Sequence, residues 1–519
     1  MLHFIYKRKT SVMKKLTSIA AGIAVFATCA SCTKSFGYID GYREAIYDNA
    51  QYAMDTDAEY GETDPQEPFD GDNFDQIVEN DFIQTTKEPT STFSIDADGA
   101  AYAYMRRAIK NNRLPNANSV RIEEFLNYFT FDYADPTGDE TVAINAELGD
   151  CPWNADHKLL RLGLKGKPIP ESDIPDANYI LLIDVSGSMT GDDRIGLVKK
   201  GLCSMIDHMK PTDRIAIITY SGEVKKLLKS TPVSEAKKIK NAIKQLNTDG
   251  YTPGGAAMKM AYEEAVQNYI QGGNNRIIMC TDGDFNVGVT DTDALVEMVE
   301  SYMDKGIYLS IMGFGTGNYE DARMESLSNH GNGTYTYIDC EQEMLKVFVD
   351  ERSHFYSVAN DTKCQITFTP EAVESYRLIG YENRVMNNED FEDDTKDAGE
   401  IGAGQTITAL YEIVPAEGFT AGASMASYDV RYKKALGGDS RPLNLNVTVP
   451  GQSAAASANM NLASGIAAYG LTLRNSQYKG SASYSMAKEL VAASNKNQDK
   501  YRTELVELIT KAQNIANKQ

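Results

Sequence analysis

Five oxygen-bearing side chains at predicted strand ends are candidate metal ligands. The stretch DVSGSM places Asp184, Ser186 and Ser188 at alternate positions directly after a run of Ile, Leu and Val. Asp282 follows a second apolar run, RIIMCTD, and Thr252 opens a glycine-rich turn before a helical pattern. Ligands of an open parallel sheet bind at the carboxyl ends of its strands. We therefore expect these three loops to converge if the two strands are neighbours.

The chemistry of these side chains points to a hard divalent ion. Hydroxyl and carboxylate oxygens suit Mg²⁺, with Ca²⁺ or Mn²⁺ as alternatives, and do not suit zinc or copper. Neutral hydroxyl ligands leave such an ion electron-poor, so a carboxylate from another molecule can complete its shell. The residues therefore predict a magnesium site for an acidic ligand, with both serine hydroxyls facing solvent. The alternative is a turn that only caps a helix.

The elements that would position these residues form an α/β domain over residues 178–352. The apolar runs YILLID, DRIAIITYS, RIIMCTD and IYLSIMGFG predict strands, and segments such as RIGLVKKGLCSMIDHM predict helices between them. Continuously apolar strands are typical of a parallel sheet that helices bury on both faces. The predicted fold class is α/β, with a doubly wound, mostly parallel, Rossmann-like sheet.

The segments on either side of this domain predict a β-sandwich that it interrupts. Residues 353–450 contain short strand-like runs separated by turn residues, and residues 451–519 have a helical pattern. Within residues 91–177, the runs TVAINAEL and KLLRLGLKG predict two strands without helices to cover them. Two strands alone are marginal in water. We therefore expect them to join the later strands, with the α/β domain inserted into the sandwich.

Two local features are also predicted outside the α/β domain. Asp98 is expected to be the N-cap of a first helix, because a carboxylate can accept the free N–H groups of a helix start. The stretch MASYDVRYKK is basic in an acidic chain, and it predicts an exposed sheet edge protected by lysine.

The N-terminal residues resemble a bacterial lipoprotein signal. Residues 1–31 contain a basic start, an apolar stretch too short to span a bilayer, and small residues before Cys32. Cys32 would be the lipidated residue, and its lipid chains would tether the protein to a membrane. A plain secretory signal and a retained helix are the alternatives. Asp is absent at position 33, which by analogy favours the outer membrane of a bacterial envelope, facing the periplasm or the outside.

The acidic character of the chain predicts properties of the N-terminal tether and of the binding partners. Residues 32–90 are predicted to be an acidic, disordered tether, because acidic residues dominate and Gly and Pro interrupt the segment. A calcium site in this segment is the alternative. The formal net charge of -22 argues against a nucleic-acid partner, because phosphates would be repelled.

Signals for other kinds of site are weak. The scattered histidines argue against zinc. With no GxSxG elbow and no Walker loop, no enzyme is predicted; a hydrolase that pairs Ser186 or Ser188 with a distant histidine is the alternative. The cysteines after the signal are odd in number and irregularly spaced, so they predict no disulfide framework and leave any single disulfide open. They are Cys151, Cys203, Cys280, Cys340 and Cys364.

The candidate metal ligands resemble the metal-ion-dependent adhesion site of von Willebrand factor type A (VWA) domains. The resemblance implies that Ser186, Ser188 and Thr252 contact the metal, while Asp184 and Asp282 act largely through water. The flanking stretches FSIDADGAAYAYMRRAI, VRIEEFLNYF, GYENR and DAGEIGAGQTITALYEI resemble a bacterial lipoprotein subfamily. That subfamily has a VWA-associated N-terminal region and a C-terminal domain of unknown function.

The resemblance implies a function in binding. We expect a non-enzymatic, metal-dependent binding protein, anchored in the envelope, that grips an acidic group of a protein ligand. The alternative is an assembly factor or scaffold for envelope protein complexes. The sequence does not distinguish the two, and it does not reveal the ligand or the oligomeric state.

Overall fold

The structure is a computed structural model of the chain. It describes residues 74–249, 254–283, 292–303, 305–315, 321–434, 438–451 and 455–518. The predicted signal with Cys32, most of the predicted tether, and Thr252 lie outside the described residues. Within the described ranges, no helix combines the length and apolar character needed to cross a bilayer.

The region before the α/β domain contributes both strands and helices. In chain order its elements are β1 (Ile83–Gln84), β2 (Thr90–Ser94), α1 (Ala100–Lys110), α2 (Ile122–Asn127), β3 (Val142–Asp150) and β4 (Lys158–Gly166).

The α/β domain follows as an alternation of strands and helices. Its elements are β5 (Ala177–Asp184), α3 (Ile195–His208), β6 (Arg214–Tyr220), β7 (Val224–Pro232), α4 (Ala236–Lys244), α5 (Gly254–Gln267), β8 (Asn274–Thr281), α6 (Thr292–Met303), β9 (Ile307–Gly313), α7 (Asp321–His330), β10 (Tyr335–Tyr337) and α8 (Glu341–Leu345).

Seven strands and three helices complete the described chain. They are β11 (Ser357–Phe368), β12 (Val373–Ile379), β13 (Val385–Met386), β14 (Ile401–Gly402), β15 (Thr406–Pro415), β16 (Ser424–Lys433), β17 (Ser440–Thr448), α9 (Ala458–Arg474), α10 (Tyr484–Ser494) and α11 (Lys500–Ala516).

The sheet of the α/β domain has the strand order β10-β9-β8-β5-β6-β7. All neighbours are parallel except β7, which runs antiparallel to β6. Every residue of β5 and of β8 is buried, because helices pack on both faces of the sheet. Helices α3, α4 and α8 contribute to the core on one face, and α1, α5, α6 and α7 to the core on the other. The prediction of a doubly wound, mostly parallel sheet is confirmed.

Two further sheets form the sandwich, and both combine strands from before and after the α/β domain. One has the order β1-β12-β15-β4-β3, and the other β13-β2-β11-β16-β17, with β14 beside β11. β4 runs antiparallel to β15, from the pair Lys158–Ile413 to the pair Lys165–Thr406. Tyr356, after the α/β domain, donates a hydrogen bond at 3.1 Å to the carbonyl of Pro175, before it. The predicted insertion into a discontinuous sandwich is confirmed.

The C-terminal segment is helical, as predicted, and packs with the N-terminal helices. Each C-terminal helix begins at a residue type that favours the N-cap position. The side chains of Ser457, Ser483 and Asp499 accept backbone N–H groups at the starts of α9, α10 and α11. A shared apolar core joins α9–α11 to α1 and α2 and to the neighbouring face of the sandwich.

Three expectations outside the α/β domain are corrected. Ordered chain begins before residue 90, because β1 pairs with β12 and Asn80 donates a hydrogen bond at 2.9 Å to the carbonyl of Gly380. Asp98 is not the N-cap of α1; Gly99 holds that position, and Asp98 accepts the N–H of Tyr335 at 2.8 Å.

The third correction concerns the predicted edge MASYDVRYKK, whose residues 425–433 belong to β16. This strand lies inside its sheet, between β11 and β17, and not at an exposed edge. Lys433 is buried there, and its Nζ lies 2.6 Å from Oδ2 of Asp361.

All five cysteines after residue 150 are free.

Candidate metal centre

The carboxyl ends of β5 and β8 lie side by side at one edge of the α/β sheet. The two strands are parallel neighbours, and Ile183 is in register with Cys280. Asp184 ends β5 and Asp282 directly follows β8, so both carboxylates belong to this edge. Both residues are 0% exposed. The structure thus places two acidic residues, 98 positions apart in the chain, at the same buried strand ends.

The loop after β5 folds back on itself and gathers its polar groups. The N–H of Ser186 donates to Oδ1 of Asp184 at 2.9 Å, and the hydroxyl oxygens of Ser186 and Ser188 lie 2.9 Å apart. A single 3₁₀ turn, Gly187–Met189, follows, and the buried Met189 anchors it in the core. Ser186 is buried and Ser188 half-buried. The expectation that both hydroxyls face solvent is therefore wrong for Ser186, because the turn draws it inward.

Thr281 is a participant that the sequence analysis missed. Its hydroxyl donates to Oδ2 of Asp184 at 3.2 Å and accepts the N–H of Gly283 at 3.1 Å. Gly283 has a φ of 94°, which glycine adopts readily. Both oxygens of Asp184 are therefore oriented, one by its own loop and one by the neighbouring strand. The only signal in the sequence is that Thr281 directly precedes Asp282.

The chain that leads into the third predicted loop approaches the end of β5, and the structure describes it as far as Asp249. The N–H of Asp249 donates to the carbonyl of Val185 at 2.8 Å, and the hydroxyl of Ser221 donates to the carbonyl of Asp249. These bonds hold the chain against the loop after β5 three residues before Thr252. Thr252 itself lies outside the described residues, so its role as a ligand stays a prediction.

The four histidines that the structure describes contact residues other than Ser186 and Ser188. His157 bonds to Glu412, His208 to the carbonyl of Ser204, and His330 to Glu300. His354 lies 3.9 Å from Glu351. Within the part of the chain that the structure describes, no histidine pairs with Ser186 or Ser188.

Comparison with known proteins identifies the family. The chain is 34% identical over 479 residues to the "Uncharacterized protein YfbK" of Escherichia coli (strain K12), an alignment that covers 85% of this chain and 81% of that protein. The chain belongs to the YfbK family. The family model for the C-terminal part of YfbK matches residues 353–515, and the model for the von Willebrand factor type A domain matches residues 178–351.

More distantly similar proteins match only part of this YfbK-family chain. A model described as von Willebrand factor matches residues 68–161. The human inter-alpha-trypsin inhibitor heavy chain H3 is 28% identical over 186 residues, which cover 34% of this chain and 21% of that protein. Among solved structures, a von Willebrand factor type A protein from Catenulispora acidiphila is 15% identical with a TM-score of 0.40, covering 69% of this chain and 88% of that one.

VWA domains commonly bind a divalent metal, and the described residues of this YfbK-family protein fit one. Mg²⁺–oxygen bonds of about 2.0–2.1 Å place adjacent ligands of an octahedron about 2.9 Å apart. The hydroxyl oxygens of Ser186 and Ser188 already have a separation of 2.9 Å. Burial, with added repulsion from Asp282, raises the pKa of the Asp184 carboxyl to about 7. A cation held by Asp184, Ser186, Ser188 and Asp282 would offset this cost of burying two carboxylates.

Proposed function

We propose that this YfbK-family protein is a non-enzymatic, divalent-metal-dependent binding protein that grips an acidic group of a protein ligand. The observation that carries the proposal is the hydroxyl pair of Ser186 and Ser188 beside the two buried carboxylates at the ends of β5 and β8. VWA domains mediate protein–protein interaction, and the family membership supports the same use here.

The residues have different roles in this proposal. Asp184 uses both oxygens within the protein, on the N–H of Ser186 and the hydroxyl of Thr281, so it orients the loop. The serine hydroxyls are neutral and converge, which suits direct contact with an ion. The ion would supply a Lewis-acidic position for the ligand's carboxylate, and Mg²⁺ is the proposed ion, with Ca²⁺ or Mn²⁺ as alternatives.

We also propose that the protein is held in a bacterial envelope by lipid on Cys32. The motivation is the sequence that precedes Cys32, with its basic start, its apolar stretch and its small residues before the cysteine. The outer membrane is the proposed location, facing either the periplasm or the outside.

A crosslinking capture experiment tests the binding function. Residues 33–519 would be incubated with a bacterial envelope extract in Mg²⁺ and in EDTA, alongside the Asp184→Ala variant. The matched control is Asp156→Ala, because Asp156 is exposed in the turn between β3 and β4, within the sandwich.

The proposal predicts a protein captured in Mg²⁺ by the wild type and by the control, and lost in EDTA or with Asp184→Ala. Equal capture under all four conditions would contradict metal-dependent binding. Capture of one stoichiometric partner that belongs to a larger complex would instead favour the assembly-factor alternative. Metal-dependent turnover of an envelope polymer would contradict the non-enzymatic role.

A further inference from the structure

A polar cavity of about 210 Å³ lies where several parts of the chain meet. The strand end after β2, the turn between α7 and β10, the segment at β13 and the segment before β14 form most of its walls, and β8 contributes Arg276. Its charged side chains are four carboxylates and two guanidinium groups. They are Asp96, Asp98, Asp397, Glu400, Arg276 and Arg384.

These charges do not balance within the cavity wall. Arg384 is committed to Asp96 at 3.1 Å and to Asp98 at 3.6 Å. Arg276 donates instead to the hydroxyl of Ser310 and to a backbone carbonyl, at 2.6 and 3.0 Å. Four carboxylates against two guanidinium groups leave a formal charge of −2. Two of the four carboxylates belong to residues 397–400. Burial raises the pKa of Glu400 there and the charge of Arg276 offsets part of that rise, while Asp397 has no guanidinium partner among the recorded ion pairs of the cavity.

Asp397 and Glu400 form a cluster there with Asp361 of β11. One carboxylate oxygen from each of the three lies within 4.8 Å of the others. Ca²⁺–oxygen bonds of about 2.3–2.6 Å let oxygens up to about 5 Å apart share one ion. Lys433 pairs with Asp361 at 2.6 Å, and it offsets one of the three negative charges.

A buried amide in the same cavity is a second, independent sign of a ligand site. Asn332 is 3% exposed and lines the cavity, yet neither its Oδ1 nor its Nδ2 has a hydrogen-bond partner. Oε1 of Glu400 is also buried without a partner. Leaving such groups unpaired is costly. A hydrated cation would give the carboxylate and the amide oxygen a partner, because Ca²⁺ accepts carboxylates, amide carbonyls and water together.

We propose that Asp361, Asp397 and Glu400 bind a Ca²⁺ ion at this junction, at a site separate from the centre at the end of β5. Ca²⁺ fits better than Mg²⁺ because it tolerates irregular, carboxylate-rich coordination, whereas Mg²⁺ requires a near-ideal octahedron. Asp397 is exposed, so an ion can enter from solvent. The bound ion fastens the segment before β14 to β11 and to the neighbouring turn of the α/β domain.

Calcium titration of residues 33–519 tests this site, with Ca²⁺ alone as the probe. All proteins would carry Ser186→Ala and Ser188→Ala, so that the centre at β5 is disabled in every sample. In this background we expect one Ca²⁺ per chain by calorimetry and a higher melting temperature in about 10 mM Ca²⁺ than in EDTA. Adding Asp397→Asn and Glu400→Gln should weaken Ca²⁺ binding at least about tenfold.

The control adds Glu417→Gln and Asp439→Asn, which change the net charge equally at exposed positions and should leave Ca²⁺ binding unchanged. In EDTA, the Asp397→Asn and Glu400→Gln variant should melt no lower than its parent, because it removes repulsion from an unfilled cluster. A lower melting temperature in EDTA would show that protein groups already satisfy these carboxylates, and it would overturn the proposal. Absence of Ca²⁺ binding in the parent, or equal binding by all three proteins, would also overturn it.

Discussion

The hydroxyl of Thr281 donates a hydrogen bond to Oδ2 of Asp184 at 3.2 Å and so joins the carboxyl ends of β8 and β5. Oδ1 of the same carboxylate accepts the N–H of Ser186, which begins the turn that carries the serine hydroxyls. The position of the serines therefore depends on a contact from a strand that lies almost one hundred residues later in the chain.

This contact predicts that Thr281→Val weakens metal binding while the fold is kept. Valine has the shape of threonine but can neither donate nor accept, so Oδ2 of Asp184 loses this donor and the N–H of Gly283 loses its acceptor. Loss of an outer contact to a metal site typically costs about 10–100-fold in metal affinity. Mg²⁺ calorimetry and a thermal melt in EDTA would measure both effects.

The matched control for Thr281→Val is Thr219→Val in β6. The hydroxyl of Thr219 donates to the carbonyl of Lys225 at 3.4 Å, and not to Asp184. We expect this control to bind Mg²⁺ as the wild type does. Equal Mg²⁺ affinities of the wild type and Thr281→Val would show that the contact does not support the site.

A buried arginine predicts how strongly the N-terminal helix is fixed to the α/β domain. The side chain of Arg106 on α1 is 1% exposed and pairs with Asp339 and, at 2.6 Å, with Glu343. Arg106→Met would leave two buried carboxylates without this partner, which we expect to lower the free energy of unfolding by about 3–5 kcal/mol. Urea unfolding measures this loss.

Lys110→Met provides the comparison for Arg106→Met on the same helix. Lys110 pairs with Glu504 at 2.7 Å, but its side chain is 46% exposed, so its removal should cost only about 0–1 kcal/mol. If both variants lost the same small amount of unfolding free energy, the Arg106 network would not be a principal attachment of α1.

The discontinuous sandwich predicts that its C-terminal strands cannot fold alone. A chain that begins at Phe355 lacks β4, the partner of β15, and β2, the partner of β11. Its core would also lack Phe93 and Leu162. We expect no cooperative thermal transition and exposed apolar surface that binds a hydrophobic dye. A cooperative melt like that of residues 33–519 would contradict the shared sandwich.

Much of the fold follows from local sequence pattern. The uniform apolar character of β5 and β8 predicts a sheet covered on both faces. The insertion is predictable because β3 and β4 have no helices to cover them and therefore need strands from elsewhere. That Asp184 and Asp282 lie at one edge of the sheet is predictable, because parallel strands bring their carboxyl ends together.

The features that the sequence did not predict depend on contacts between distant residues. Lys433 looked like an edge lysine, but Asp361, 72 residues earlier, pairs with it inside the sheet. Asn80 looked like part of the tether, but its partner Gly380 lies 300 residues later. Thr281 resembles any strand-forming residue until β5 is placed beside it. Local propensity does not contain these pairings.

Membrane attachment is predicted to depend on Cys32. Cys32→Ser would remove the proposed lipidation residue, and we expect unprocessed or released protein in place of a mature membrane-bound form. Cell fractionation with immunoblotting measures this, and Cys29→Ser provides a nearby control that should remain attached. A Cys32→Ser protein that still sediments with membranes at the mature size would contradict lipid anchoring at this residue.

Magnesium calorimetry on the wild type and on Ser186→Ala with Ser188→Ala shows directly whether these serines hold a metal ion. The two hydroxyls are hydrogen-bonded to each other at 2.9 Å. Removing both together therefore leaves no hydroxyl of this pair buried without a partner, and we expect the variant to keep its fold in a thermal melt. We expect one Mg²⁺ per chain in the wild type and no measurable Mg²⁺ binding in the double variant. Equal Mg²⁺ binding by the two proteins, or loss of cooperative melting in the variant, would contradict a metal centre built on these serines.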